Sequence, residues 1–83
     1  MSQRLLQRPL KQALTQVEAE IEQVEIEKDA LAQLQLDPSH YEQSDEVIRV
    51  AQKIKQYDEK LIELMDQWEQ IETELEALKA RFE

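Results

Sequence analysis

Apolar residues recur through the second half of the chain at a spacing that leaves little choice of fold. Val47, Ile54, Leu61, Trp68, Leu75 and Phe82 fall seven residues apart, and Val50, Tyr57, Leu64, Ile71 and Leu78 follow three residues behind. All eleven a and d positions of this heptad are apolar. An average repeat of about 3.5 residues keeps one stripe of a helix facing a partner helix, which is what a coiled-coil seam requires. At ~1.5 Å per residue, the helix predicted over 45–82 runs about 55 Å.

The first half repeats the pattern with more interruptions. Leu10, Val17, Val24 and Leu31 serve as d positions, and Leu14, Ile21 and Lys28 as a positions. Lys28 is the polar exception, and its aliphatic stem can lie along the seam while the ammonium reaches water. Leu34, Leu36, Ala13 and Ala30 widen the stripe. Pro9 suits the first turn of a helix over 9–36, where its missing N–H costs nothing. Residues 1–8 then form a basic lead-in without defined structure, or a longer helix enters through them and is kinked at Pro9.

Between the halves lies Asp37-Pro38-Ser39-His40-Tyr41-Glu42-Gln43-Ser44. Pro38 disfavours helical geometry at Asp37 and ends the first helix. Asp37 followed by Pro38 also reads as an N-cap with proline at the first helical position, so one short helical turn is expected through Tyr41. Ser44 then caps the second helix, with Asp45 and Glu46 set against its N-terminal dipole. A connection this short over 37–44, between helices of similar length, folds the chain back on itself. The fold class is therefore all-α, a two-helix antiparallel coiled-coil hairpin. Of two registers one heptad apart, the preferred one sets Leu31 opposite Ile54, Val24 opposite Leu61, Val17 opposite Trp68 and Leu10 opposite Leu75. It leaves room for the turn and buries more of the second helix.

Composition closes off several kinds of chemistry. The 83 residues include no glycine, which removes phosphate-cradling P-loops and dinucleotide-binding turns, and no cysteine, which removes thiolate nucleophiles and every cysteine-containing zinc site. A single histidine, His40, supports neither a zinc helix nor a Ser-His-Asp triad. No catalytic residue, metal ligand or cofactor is assigned, and the chain does not read as an enzyme. The glutamates of the first helix lie on a surface with no pocket to tune them. No stretch approaches the ~20 apolar residues that cross a bilayer, so a soluble, reducing, cytoplasmic setting is the simplest expectation.

Charge is strongly acidic in sum, −9, and uneven in place. Arg4, Arg8 and Lys11 open the chain, an acidic block runs from Glu18 to Asp29 with only Lys28 inside it, and Arg49, Lys53, Lys55 and Lys60 follow. The net value argues against a protein that simply coats nucleic acid, because backbone binding depends on Lys and Arg releasing counterions. Solvated helix faces are the plain reading of each group.

The hairpin resembles the C-terminal coiled-coil domain of ABC-F ATPases of the Uup and YheS types. The shared features are the Pro9-Leu10-Lys11 start, the Glu-rich first helix, the Leu36-Asp37-Pro38-Ser39-His40-Tyr41 turn and Glu46-Val47 at the start of the second helix. Trp68-Glu69, Ile71-Glu72 and Leu75-Glu76 complete them. That resemblance implies an accessory arm of a protein with two ATP-binding cassettes, acting at the ribosome and contacting nucleic acid, DNA in Uup-like members. On that reading the contact residues are Arg49, Lys53, Lys55 and Lys60, with His40 and Tyr41 at the tip. The cations would meet phosphates and Tyr41 would stack on an exposed base. The bland readings make His40 a solvated tip residue, pack Tyr41 over the end of the seam, and place Trp68 and Tyr57 in the core. The rival class is a structural coiled coil, a spacer or a module pairing with a second copy or another protein. A helical arm like those on some aminoacyl-tRNA synthetases shares the hairpin without a better motif match.

Overall fold

The computed structural model describes residues 3–42 and 44–82. Helix α1 spans Gln3–Leu34 and helix α2 spans Ser44–Phe82, with a short 3-10 helix over Pro38–Glu42 between them. The two long helices pack along each other into a rod of 63 × 14 × 14 Å. The chain is an all-α antiparallel hairpin, with no strand among the described residues.

The first helix does not begin at Pro9. It starts at Gln3 and carries Pro9 in its interior, beyond the first turn where proline is free of cost. Proline there leaves the carbonyl four residues earlier without its usual partner, a loss of roughly 3 kcal/mol in an isolated helix. Around it, Gln7 is buried and Leu10 is half-buried beside the end of α2. The expectations for Met1 and Ser2, and for the side chains of Arg4, Leu5, Leu6 and Phe82, lie outside the described residues.

The other end of α1 stops at Leu34 rather than Leu36. Its last carbonyls are taken up by tightened bonds: Gln35 N–H donates to Leu31 O at 3.4 Å and Ala32 O at 3.2 Å, and Leu36 N–H to Gln33 O at 3.1 Å. Asp37 N–H donates to Leu34 O at 3.1 Å. The three-residue closures onto Ala32, Gln33 and Leu34 satisfy orphan carbonyls without a left-handed residue, and no described residue has positive φ. A chain without glycine can end a helix this way. Asp45 and Glu46 occupy the first turn of α2, and Lys79 and Arg81 the last, each charge opposing the local end of the helix dipole.

Lys28 reports the register. Its ammonium pairs with Asp58 across the seam, and Glu27, one position away, lies close enough to the Tyr57 hydroxyl to raise its pKa. A slip of one heptad would set Lys28 beside Val50 or Ala51, so the preferred pairing is the observed one. Val17, Val50, Leu64 and Leu75 are buried, Leu64 at 1% exposure the most completely. Most other seam residues are half-buried, because two helices cover one another on a single side only.

Trp68 departs from expectation. It holds an a position yet is 37% exposed, spilling from the seam beside Glu18 and Ile21 of α1. An indole is too large for one layer of a two-helix seam, and no third helix covers its outer edge. Leu36, expected to widen the stripe, is 82% exposed.

Leu64→Ala should lower stability by about 2–5 kcal/mol, whereas Ile62→Ala, at an exposed position, should change it by less than about 0.5 kcal/mol. Urea unfolding followed by helical circular dichroism checks both.

Candidate functional site

The tip is organised by Asp37. Ser39 donates its backbone N–H to Asp37 Oδ1 at 3.0 Å and its hydroxyl to the same oxygen at 2.9 Å. His40 N–H donates to the Asp37 carbonyl at 3.0 Å. Asp37 thus starts the 3-10 turn at Pro38 by its side chain and main chain together, as an N-cap should. These donors, the Ser39 N–H foremost and its hydroxyl next, hold the Asp37 carboxyl below the usual carboxylate range.

That turn sets the phase of the two aromatic tip residues, and they exchange their expected roles. His40 is buried at 6% exposure, while Tyr41 is 61% exposed. In a 3-10 helix successive side chains point about 120° apart, so placing His40 inward turns Tyr41 outward. The rings meet edge to face, centroids 5.4 Å apart at 74°, and the Tyr41 hydroxyl donates to Gln35 O at 2.6 Å. His40 therefore closes the end of the seam, with neither ring nitrogen making a hydrogen bond. It is not at the surface where a phosphate would meet it; Tyr41 is.

The four candidate cations Arg49, Lys53, Lys55 and Lys60 are all exposed, but they do not form one group. Steps of four and seven residues keep Arg49, Lys53 and Lys60 within about 40° on one helix stripe. Lys55 follows Lys53 by two residues, about 200° around the helix, and faces the other way. Arg49 and Lys53 border a shallow groove at the base of the tip, where Glu42, Asp45 and Glu46 stand among them and Leu31, Leu34 and Val50 form its apolar floor. Lys53 Nζ also lies 5.3 Å from the centre of the Tyr57 ring, a cation–π placement. Tyr57 is a half-buried seam residue. Partial burial, and then the charge and hydrogen bond of Glu27, push its hydroxyl above the usual phenol value.

Among the described residues, no group of three or more His, Asp and Glu side chains is arranged to hold a metal ion, and no helix is long and apolar enough to cross a membrane. What the arrangement offers is surface. One stripe of cations runs down from the tip, with an exposed aromatic ring at its end of the rod.

A protein-family model described as "ABC transporter C-terminal domain" matches residues 6–73. No curated protein and no solved structure matches the chain.

Two outcomes follow from this geometry. His40→Leu should leave stability unchanged or raise it by roughly 1 kcal/mol, since a buried polar group without partners gives way to an apolar one of similar size, while His40→Ala should lower it by opening the seam end. Thermal unfolding of both variants checks this. The second outcome concerns pH. Asp37, with a depressed value in the fold, contributes stability above the carboxylate range that is lost as pH falls through and below about 4. Tyr57, with a raised value, contributes stability that is lost as pH rises beyond about 10. Melting temperatures against pH should show a shallower acid limb for Asp37→Asn and a shallower alkaline limb for Tyr57→Phe.

Proposed function

Because the chain belongs to the ABC transporter C-terminal domain family, we propose that it is an accessory coiled-coil arm of an ABC-F-type ATP-binding cassette protein. On this reading it works in the cytoplasm, has no chemistry of its own, and touches nucleic acid, DNA or the RNA of the ribosome. The observation that carries the reading is the alignment of exposed Arg49, Lys53 and Lys60 on one stripe of α2, leading away from a tip that presents Tyr41. Cations spaced along a helix match phosphates of a nucleic-acid backbone, and an exposed ring at the end offers a stacking face to an unpaired base. Lys55 faces away from the stripe and has no part in it.

Glu42, Asp45 and Glu46 beside Arg49 and Lys53 weaken the local field, so the arm is suited to assisting attachment made elsewhere rather than to tight binding alone. The net charge of −9 and the 63 Å length of the rod favour a second reading, a rigid spacer that sets the distance between other bodies.

Titration of the chain with labelled duplex DNA, single-stranded DNA and structured RNA at two salt concentrations tests the proposal. Saturable, salt-sensitive binding is expected, and the Arg49→Ala/Lys53→Ala/Lys60→Ala variant should reduce the slope of log affinity against log salt by about 3, near 0.9 per phosphate lost. Lys55→Ala should bind like the unaltered chain. Absence of binding near physiological salt with any of the three probes decides for the spacer.

A further inference from the structure

Away from the cationic stripe, the hairpin carries a surface of another kind. Ile62, Met65 and Trp68 are 64%, 50% and 37% exposed and stand three residues apart on α2, close enough to form one ridge. Met65 and Trp68 face Ile21 of α1 across a groove. Carboxylates rim it: Glu18, Glu22 and Glu25 from α1 and Glu69 from α2. All four are exposed, and no basic side chain lines the groove.

Large side chains exposed together within a polar rim mark an interaction surface, and tryptophan and methionine are enriched where interfaces are most buried. The rim decides among occupants. A second copy of this chain would bring the same glutamates against each other at a net charge of −9 apiece. A nucleic-acid backbone or an anionic membrane surface would be repelled in the same way. Two helices lying side by side form a trough suited to a third helix. We infer that this groove docks a basic amphipathic helix of a partner protein, seating large apolar side chains on Met65 and Trp68 and setting Lys or Arg against the four glutamates. The site is separate from the proposed nucleic-acid stripe, since Met65 lies roughly opposite Arg49 around the axis of α2.

Trp68 is the only tryptophan in the chain, so its fluorescence reports on the groove directly. The probe is a tryptophan-free peptide of about 14 residues, near four helical turns, with leucines on one face and lysines on the other. Its controls are a scrambled peptide of the same composition and the same helix with glutamate for lysine. Binding should shift Trp68 emission to the blue, saturably, and weaken as salt rises. Ile62→Ser/Met65→Ser, and separately Glu18→Gln/Glu22→Gln/Glu25→Gln, should each weaken binding about tenfold or more. Circular dichroism establishes that each variant remains helical, and the carboxamide variant alone suffices if the serine variant does not. Binding unaffected by the Arg49→Ala/Lys53→Ala/Lys60→Ala changes would support a site independent of the stripe. An equal shift with the scrambled peptide, a shift on raising protein concentration alone, or undiminished binding by the carboxamide variant would overturn the proposal.

Discussion

A single seam between two helices holds this chain, and it covers each helix on one side only. Among the described residues Leu64 is the one large side chain brought to 1% exposure, and most of its seam neighbours keep an edge in water. Such a core encloses little volume. It can hold a long surface straight, and the 63 Å rod is the result. The same thinness leaves Ile62, Met65 and Trp68 uncovered, because nothing lies beyond the second helix to receive them.

Charge is distributed around this rod so that its two sides differ. Lys28 and Asp58 pair across the seam, and that contact belongs to alignment more than to net stability, since half-exposed pairs contribute about 0–1 kcal/mol. It marks the register that the apolar seam holds. With that register, Arg49, Lys53 and Lys60 share a stripe of α2, while Glu18, Glu22, Glu25 and Glu69 gather around Trp68 elsewhere. A register shifted by one heptad would carry the α1 glutamates away from Trp68, while the cation stripe, set within α2 by its own helical period, would stay as it is.

The hairpin and its direction were legible because each rests on a pattern: eleven apolar heptad positions in the second half and a proline-marked turn between the halves; the heptad left two registers open, and room for the turn favoured the observed one. What escaped the sequence depends on volume and phase. The heptad marked Trp68 as inward-facing, but it carries no information on whether a two-helix layer can hold an indole. His40 and Tyr41 are adjacent, and which one turns inward is decided by the Asp37–Ser39 bonds that set the phase of the 3-10 turn. Pro9 left two readings open, a first-turn position or a longer helix entering through residues 1–8, and the helix that begins six residues earlier, at Gln3, is the second. Four lysines and arginines near one another in sequence also looked like one patch; helical geometry divides them three to one.

An antiparallel hairpin puts the beginning of α1 and the end of α2 together at one end of the rod and the Asp37–Glu42 turn at the other. Any neighbour joined through the chain ends would be joined at the base, leaving the tip and the sides as the surfaces free to meet something else. Tip and side contacts would then act differently on such a neighbour. Contact at the tip works through the full length of the rod, so a small displacement there becomes a rotation at the base. Contact on the Trp68 groove lies within the second half of α2, nearer the base, and adds a third helix to the seam where the indole is half open. Covering that indole removes apolar surface from water and stiffens the segment through which a force from the tip would have to pass. If the proposed tip and groove contacts both form, they do so through surfaces that share no residue and lie at different distances from the base.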